Sequence, residues 1–243
     1  MYHFYVGLDL GQSQDYTALA VIEEPLWIGG DEWKRAFGLL AVREEGWVSP
    51  STLAPFVADI ALRANYHHGR PARPPLYLRH LHRFELGTRY PDIIQAVRKL
   101  LSSPPIRPLL GHSVLLVDKT GVGAAVVDGF RQAGVNPWAI TIHGGSSVTW
   151  EHQGARVPKR DLVAAVQTLL QSSRLKIAEG LDLAPTLKKE LLNFRVKIDP
   201  KTAHDSYEHW REGDHDDLVL ATALACWYRE DRSATIERVH AGY

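Results

Sequence analysis

Three strand-like runs at short spacing, followed by a switch to alternating strands and helices, constrain the fold of this chain most. The runs are Tyr2 to Leu10 (YHFYVGLDL), Thr17 to Glu23 (TALAVIE) and Arg35 to Glu44 (RAFGLLAVRE). Connections this short suit an antiparallel meander, because parallel neighbours need a long crossover. Ser51 then caps the helical pattern TLAPFVADIALRANY, which the basic, proline-rich loop HHGRPARPP breaks. Leu76 to Phe84 (LYLRHLHRF) alternates apolar and basic residues as a half-exposed strand does. Pro91 marks a helix start before DIIQAVRKLL, and from there the pattern is α/β. Ser113 to Asp118 reads as a buried strand, GVGAAVVDGFRQAG as a helix and NPWAITIH as a strand. Gly144 to Val157 reads as a polar loop, and PKRDLVAAVQTLLQSS as a helix with proline in its first turn. RLKIA is short and extended, LAPTLKKELLNFR is amphipathic, and the charged, aromatic segment Lys197 to Gly213 leads into HDDLVLATALACW, a buried helix.

This order is that of an RNase H-like α/β fold, although doubly wound folds share its later half. It predicts a five-stranded mixed central sheet, antiparallel in its first three strands and then parallel, flanked by helices. A chain of 243 residues, 45% of them apolar, suits one such domain spanning residues 1–243 with a sizeable core. The single cysteine, Cys226, excludes a disulfide framework and a thiolate zinc site. No apolar run approaches the ~20 residues that span a bilayer, and the N-terminus has no signal architecture. The expectation is a cytoplasmic protein with no membrane partner. Lys and Arg number 28, as do Asp and Glu. That balance leaves nucleic-acid binding open, since an acidic metal site can mask a basic face.

Three aspartates stand out against this frame. Asp9 interrupts an apolar strand, Asp118 ends another, and Asp217 opens the last helix. Strand-end solvation, a turn and a helix cap would each explain one of them. In the expected order, however, the Asp9 and Asp118 strands are neighbours and the last helix packs across them. Three carboxylates then meet in one cleft, where mutual repulsion calls for a cation. Oxygen-only ligands favour Mg²⁺ or Mn²⁺, and two such ions suit phosphodiester hydrolysis. Asp15, beyond the GQSQ turn, and Asp216 are secondary metal candidates; Asp216 equally suits the helix cap. His215 is a further candidate for metal binding or for orienting water. Arg70, Arg73, Arg79, Arg83, Lys159, Arg160, Lys188 and Lys189 are candidate phosphate contacts, with Lys119 close to the site.

The segments GLDLGQSQDYTALAVIE, LLVDKTGVGAAVVDGF and HDDLVLATALA resemble, in order, the nuclease domain of tailed-bacteriophage terminase large subunits. VPKRDLVAAVQTLLQSSRLKIA and LKKELLNF are similar to that family's intervening segments. The resemblance implies an endonuclease that cuts double-stranded DNA during viral genome packaging, with two Mg²⁺ or Mn²⁺ ions. It places the catalytic carboxylates on Asp9, Asp118 and Asp217, with additional acids on Asp15 and Asp216, and a hairpin over Lys197 to Gly213. The partners it implies are the terminase small subunit, the portal and a motor ATPase domain. The chain carries no G-x-x-x-x-G-K-[ST] phosphate loop, so ATP-driven translocation is not expected of it.

Other readings stay open at this level. GLDLGQSQ also resembles the phosphate turn of sugar-kinase and actin-like ATPases, although such two-lobed proteins need a longer chain. A Holliday-junction resolvase shares the chemistry, with nothing here to indicate a four-way junction. A DNA-binding module without cleavage activity is the non-enzymatic alternative, against which the three intact carboxylates argue.

Overall fold

In the computed structural model, the described residues are 4–11, 15–28, 46–48, 74–103, 106, 113–194, 197–198, 205–206 and 215–240. The expected strand Arg35 to Glu44, the helix beginning at Ser51, and Arg70 and Arg73 lie outside them.

The strands are β1 Phe4–Asp9, β2 Ala18–Glu23, β3 Leu26–Ile28, β4 Gly46–Val48, β5 Leu76–Arg83, β6 Ser113–Asp118 and β7 Trp138–His143. They continue with β8 Thr149–Glu151, β9 Gly154–Pro158, β10 Leu175–Ile177, β11 Lys197–Ile198 and β12 Asp205–Ser206. The helices are α1 Tyr90–Leu101, α2 Gly123–Gln132, α3 Lys159–Gln171, α4 Ala184–Asn193 and α5 Asp217–His240.

Eight strands form one sheet in the order β10-β5-β2-β1-β6-β7-β9-β8. β1, β2 and β5 pair antiparallel, and β6, β7 and β9 extend β1 in parallel. The mixed sheet is as expected in character but larger than five strands. The strand beside β2 is β5, with a bulge at Val21/Ile22. The stretch Gly144 to Val157 is not a loop: it holds β8 and most of β9, joined through a turn with Gln153 at φ 60°. β9 earns its place by burying Ala155 and Val157 while Arg156 points out, a period-2 pattern too short to stand out in a polar stretch. Pro158 ends that strand and precedes the first turn of α3 as its N-cap, so it stands one residue earlier than expected. Two further pairs, β3 with β4 and β11 with β12, are antiparallel; the second falls within the segment expected to hold a hairpin.

Alternation along β1 splits the core into two layers. Phe4, Val6 and Leu8 pack with α1 and α2 through Ile93, Val97, Val127 and Phe130. Tyr5 packs on the opposite face with α3, α4 and α5. α5 is buried on all sides from Leu218 to Tyr228, as expected for a helix that is apolar all round. It reaches the sheet because Gly7 has no side chain. A Cβ there would lie 1.9 Å from the Ala221 carbonyl oxygen. No helix among the described residues is long and apolar enough to cross a membrane.

Candidate metal centre

Asp9 and Asp118 are the last residues of β1 and β6, which run parallel with Leu8 beside Val117. Each carboxylate therefore lies one step past the last paired position, on neighbouring strands. Both belong by alternation to the α5 face, with Tyr5 and Gly7 on β1 and with Val114 and Leu116 on β6. The turn after Asp118 is held closely. The Thr120 amide donates to Asp118 Oδ1 at 2.8 Å, and the Thr120 hydroxyl accepts from the Ile142 amide. Gly123 follows because a Cβ there would come within 2.1 Å of the Asp118 carbonyl oxygen. Asp217 opens α5, and the close seating of that helix on Gly7 brings it to the same end of the sheet. Asp9, Asp118 and Asp217 are 8%, 9% and 4% exposed, values that charged residues reach only with partners or ligands.

Their acidities record the crowding. Burial, and then the charges of Asp118, Asp216 and Asp217, push the Asp9 carboxyl well above its usual range, against the pull of Lys159. Burial raises Asp118 as well, opposed by its hydrogen bonds to Thr120 and Asp9 and by Lys159. Burial likewise raises Asp217, opposed chiefly by Arg83. In all three the shift is towards the neutral form, and a bound cation would oppose it.

Two of the basic residues expected to meet phosphate turn inward. Arg83 Nε donates to Asp217 Oδ2 at 2.8 Å and Nη2 donates to Oδ1 at 3.0 Å, a two-pronged grip. Nη2 also donates to Glu190 Oε1, and the guanidinium lies 4.8 Å from the centre of the Tyr16 ring. Lys159 Nζ donates to Asp216 Oδ2 at 2.9 Å and sits over the Phe194 ring. Arg79 pairs with Glu23 at 2.6 Å and stacks on Tyr77. Lys119 lies 4.0 Å from Glu151, and Arg160 donates to the Ser146 carbonyl. Lys188 and Lys189 are exposed on α4.

The secondary candidates separate. Asp216 contributes to the charge around Asp9, and its carbonyl accepts the Leu220 amide as the start of α5. Its side chain, engaged by Lys159, is not where the described capping bonds fall. Glu190 Oε2 accepts the Leu218 and Val219 amides at 3.1 and 3.2 Å, supplying the cap from α4. His215 packs edge-on against Tyr16, 4.9 Å between ring centres, and its charge favours ionised Asp217. Asp15 is exposed and is not among the largest influences on Asp9. Glu190 and Tyr16 were not singled out in the sequence. Glu190 left one trace: it shares a buried stripe of α4 with Leu187, three residues away.

Oxygen donors, deep burial and mutual repulsion fit a hard divalent cation. Among the described residues, no three His, Cys, Asp or Glu side chains are arranged to hold one ion. Asp9 and Asp118 are close enough to influence each other's acidity, while Arg83 grips Asp217. Asp118 and Asp217 both lie near enough to Asp9 for their charges to act on it, and Asp217 is tied to Arg83.

A mixed sheet between two helical layers, with acids at adjacent strand ends and at the start of the last helix, defines the RNase H-like fold. Among solved structures, the chain is similar to the large terminase nuclease from thermophilic phage G20c with bound magnesium. That match has 18% identity over 94% of this chain and 82% of the other, with a TM-score of 0.54. A second structure of the G20c nuclease matches at 16% identity over 92% and 81% of the two chains, with a TM-score of 0.50. No family model and no curated protein matches the sequence. The likeness to terminase nuclease domains is thus one of fold.

Proposed function

We propose that this chain is a divalent-metal-dependent endonuclease that cleaves double-stranded DNA by two-metal-ion phosphodiester hydrolysis, as in viral genome packaging by terminase. What supports the reading most is that Asp9, Asp118 and Asp217 are all buried with raised pKa, with Asp118 and Asp217 among the charges acting on Asp9. The fold shared with the G20c terminase nuclease supports it. In such a protein, double-stranded DNA is the substrate, and a motor ATPase domain, the small subunit and the portal are the partners. Residues 1–243 serve as the single nuclease domain.

Asp9, Asp118 and Asp217 would hold the cations, Mg²⁺ or Mn²⁺, with Asp216 and Asp15 as secondary acids. Bound there, the ions supply Lewis-acid activation of water and charge stabilisation at the leaving 3′ oxygen. The residues do the rest. Rigid strand ends fix Asp9 and Asp118, and the Thr120 amide fixes the rotation of the Asp118 carboxylate. Lys159 lowers the cost of accumulating negative charge beside a phosphodiester. Water adds at phosphorus, the P–O3′ bond breaks, and the products are a 5′-phosphate and a 3′-hydroxyl.

The test is plasmid cleavage with Mg²⁺ or Mn²⁺, comparing wild type with Asp118→Ala and Asp217→Ala. Cutting by wild type that both variants lose supports the reading; undiminished cutting by both variants sinks it. Salt-sensitive DNA binding by a wild type that never cuts would favour a non-cleaving binding module instead.

A further inference from the structure

We propose that Glu190, acting with Arg83, is a positioning residue that sets the carboxylate of Asp217 for metal binding. The inference rests on the metal-centre reading above and extends it to residues outside the acidic set.

A helix that begins on a ligand has a conflict. Its first amides need acceptors, and the nearest side-chain oxygens belong to the ligand itself and to its neighbour. A cap made by Asp217 or Asp216 would turn that carboxylate back onto the helix. Here the acceptor comes from a different helix. Glu190 Oε2 takes the amides of Leu218 and Val219, while its Oε1 accepts from Arg83. Arg83 in turn grips both oxygens of Asp217. One carboxylate thus caps α5 and braces the arginine that orients the ligand. Glu190 is 6% exposed, and the Arg83 side chain is 17% exposed.

The grip need not exclude a cation. Each carboxylate oxygen has two lone pairs, and Arg83 uses one on each. The second set would remain for a cation to use. Outer residues of this kind change metal affinity by roughly 10- to 100-fold when removed.

The test is Mn²⁺ binding by isothermal titration calorimetry, alongside the Mn²⁺ concentration giving half-maximal plasmid cleavage, for wild type, Glu190→Gln, Glu190→Ala and Arg83→Gln. Circular dichroism and thermal unfolding in EDTA report folding separately. Glu190→Gln keeps an oxygen for the α5 amides but offers Arg83 an NH₂ group. The expected result is Mn²⁺ affinity weakened about tenfold or more in a variant that is still folded, with cleavage largely recovered at saturating Mn²⁺. Glu190→Ala should weaken binding further and also lower the unfolding temperature. Unchanged Mn²⁺ affinity in a folded Glu190→Gln protein overturns the proposal. Tighter Mn²⁺ binding by Arg83→Gln also overturns it, because Arg83 would then be a competitor of the cation. If Mn²⁺ binds and the variants weaken it while wild type cuts no DNA, the positioning role stands and the nuclease reading fails. A wild type that binds no Mn²⁺ overturns both.

Discussion

Asp118→Asn should cost the metal-free protein nothing in folding and should stabilise it at mildly alkaline pH. The replacement is nearly isosteric. Its carbonyl oxygen can still accept the Thr120 amide that Asp118 Oδ1 accepts at 2.8 Å, and its NH₂ group can donate to Asp9. What disappears is one buried negative charge. Two carboxylates about 4 Å apart repel by about 4 kcal/mol at an effective dielectric near 20. The realised penalty is smaller, because the folded cluster can hold a proton instead, at about 1.4 kcal/mol per unit of pKa shift. The expected gain is therefore positive and below that Coulomb figure. Its pH dependence has a definite sign. Asp9, Asp118 and Asp217 all have raised values, so the folded protein binds more protons than the unfolded chain. The stability they contribute is present near and below the ordinary aspartate value of 3.8 and is lost as pH rises through the raised values. The advantage of Asp118→Asn should therefore be small near that value and grow above it. Urea unfolding in EDTA across that range measures it. Added Mg²⁺ should then stabilise wild type more than the variant. A variant less stable than wild type in mildly alkaline EDTA, or an advantage that does not change with pH, would refute the account of a repulsive buried cluster.

Gly7→Ala should destabilise the protein by about 3 kcal/mol, the upper end for overpacking. The new methyl meets the Ala221 carbonyl oxygen at 1.9 Å, a backbone atom that cannot swing aside. Equilibrium unfolding checks this, and a loss near zero would mean that α5 can lift off β1 freely. Glu24→Ala should cost about 3 kcal/mol. It removes one of two carboxylate partners of Arg229, whose Nη2 donates to Glu24 at 2.7 Å and which is 2% exposed. Glu230 remains as a partner at 2.9 Å and keeps the loss from growing further. Unchanged unfolding at neutral pH would show that Arg229 finds compensation elsewhere.

The acidic residues were legible because each marks the end of a local pattern. Asp9 and Asp118 close buried strands whose apolar runs can be read directly, and Asp217 opens an Ala-rich helix. The same local patterns gave the mixed sheet and α1 to α4 close to their observed limits, and the start of α5, which runs on past the expected Trp227 to His240. β8 and β9 were missed because a five-residue strand in a polar stretch has too few alternations to register. The partners of Asp217 were missed for a different reason. Arg83 lies 134 residues from Asp217 in the chain and 107 from Glu190. On β5, Arg83 reads as one more basic residue of an alternating strand; on α4, Glu190 reads as one more polar residue of an amphipathic helix. Local spacing fixes secondary structure and the ends of elements, because those depend on neighbours along the chain. Which charge meets which depends on how the layers stack. The sequence by itself determined where the three carboxylates stand on their elements. Only the packing of α4 and α5 against β5 decided that an arginine would grip one of them and that a glutamate would hold the arginine.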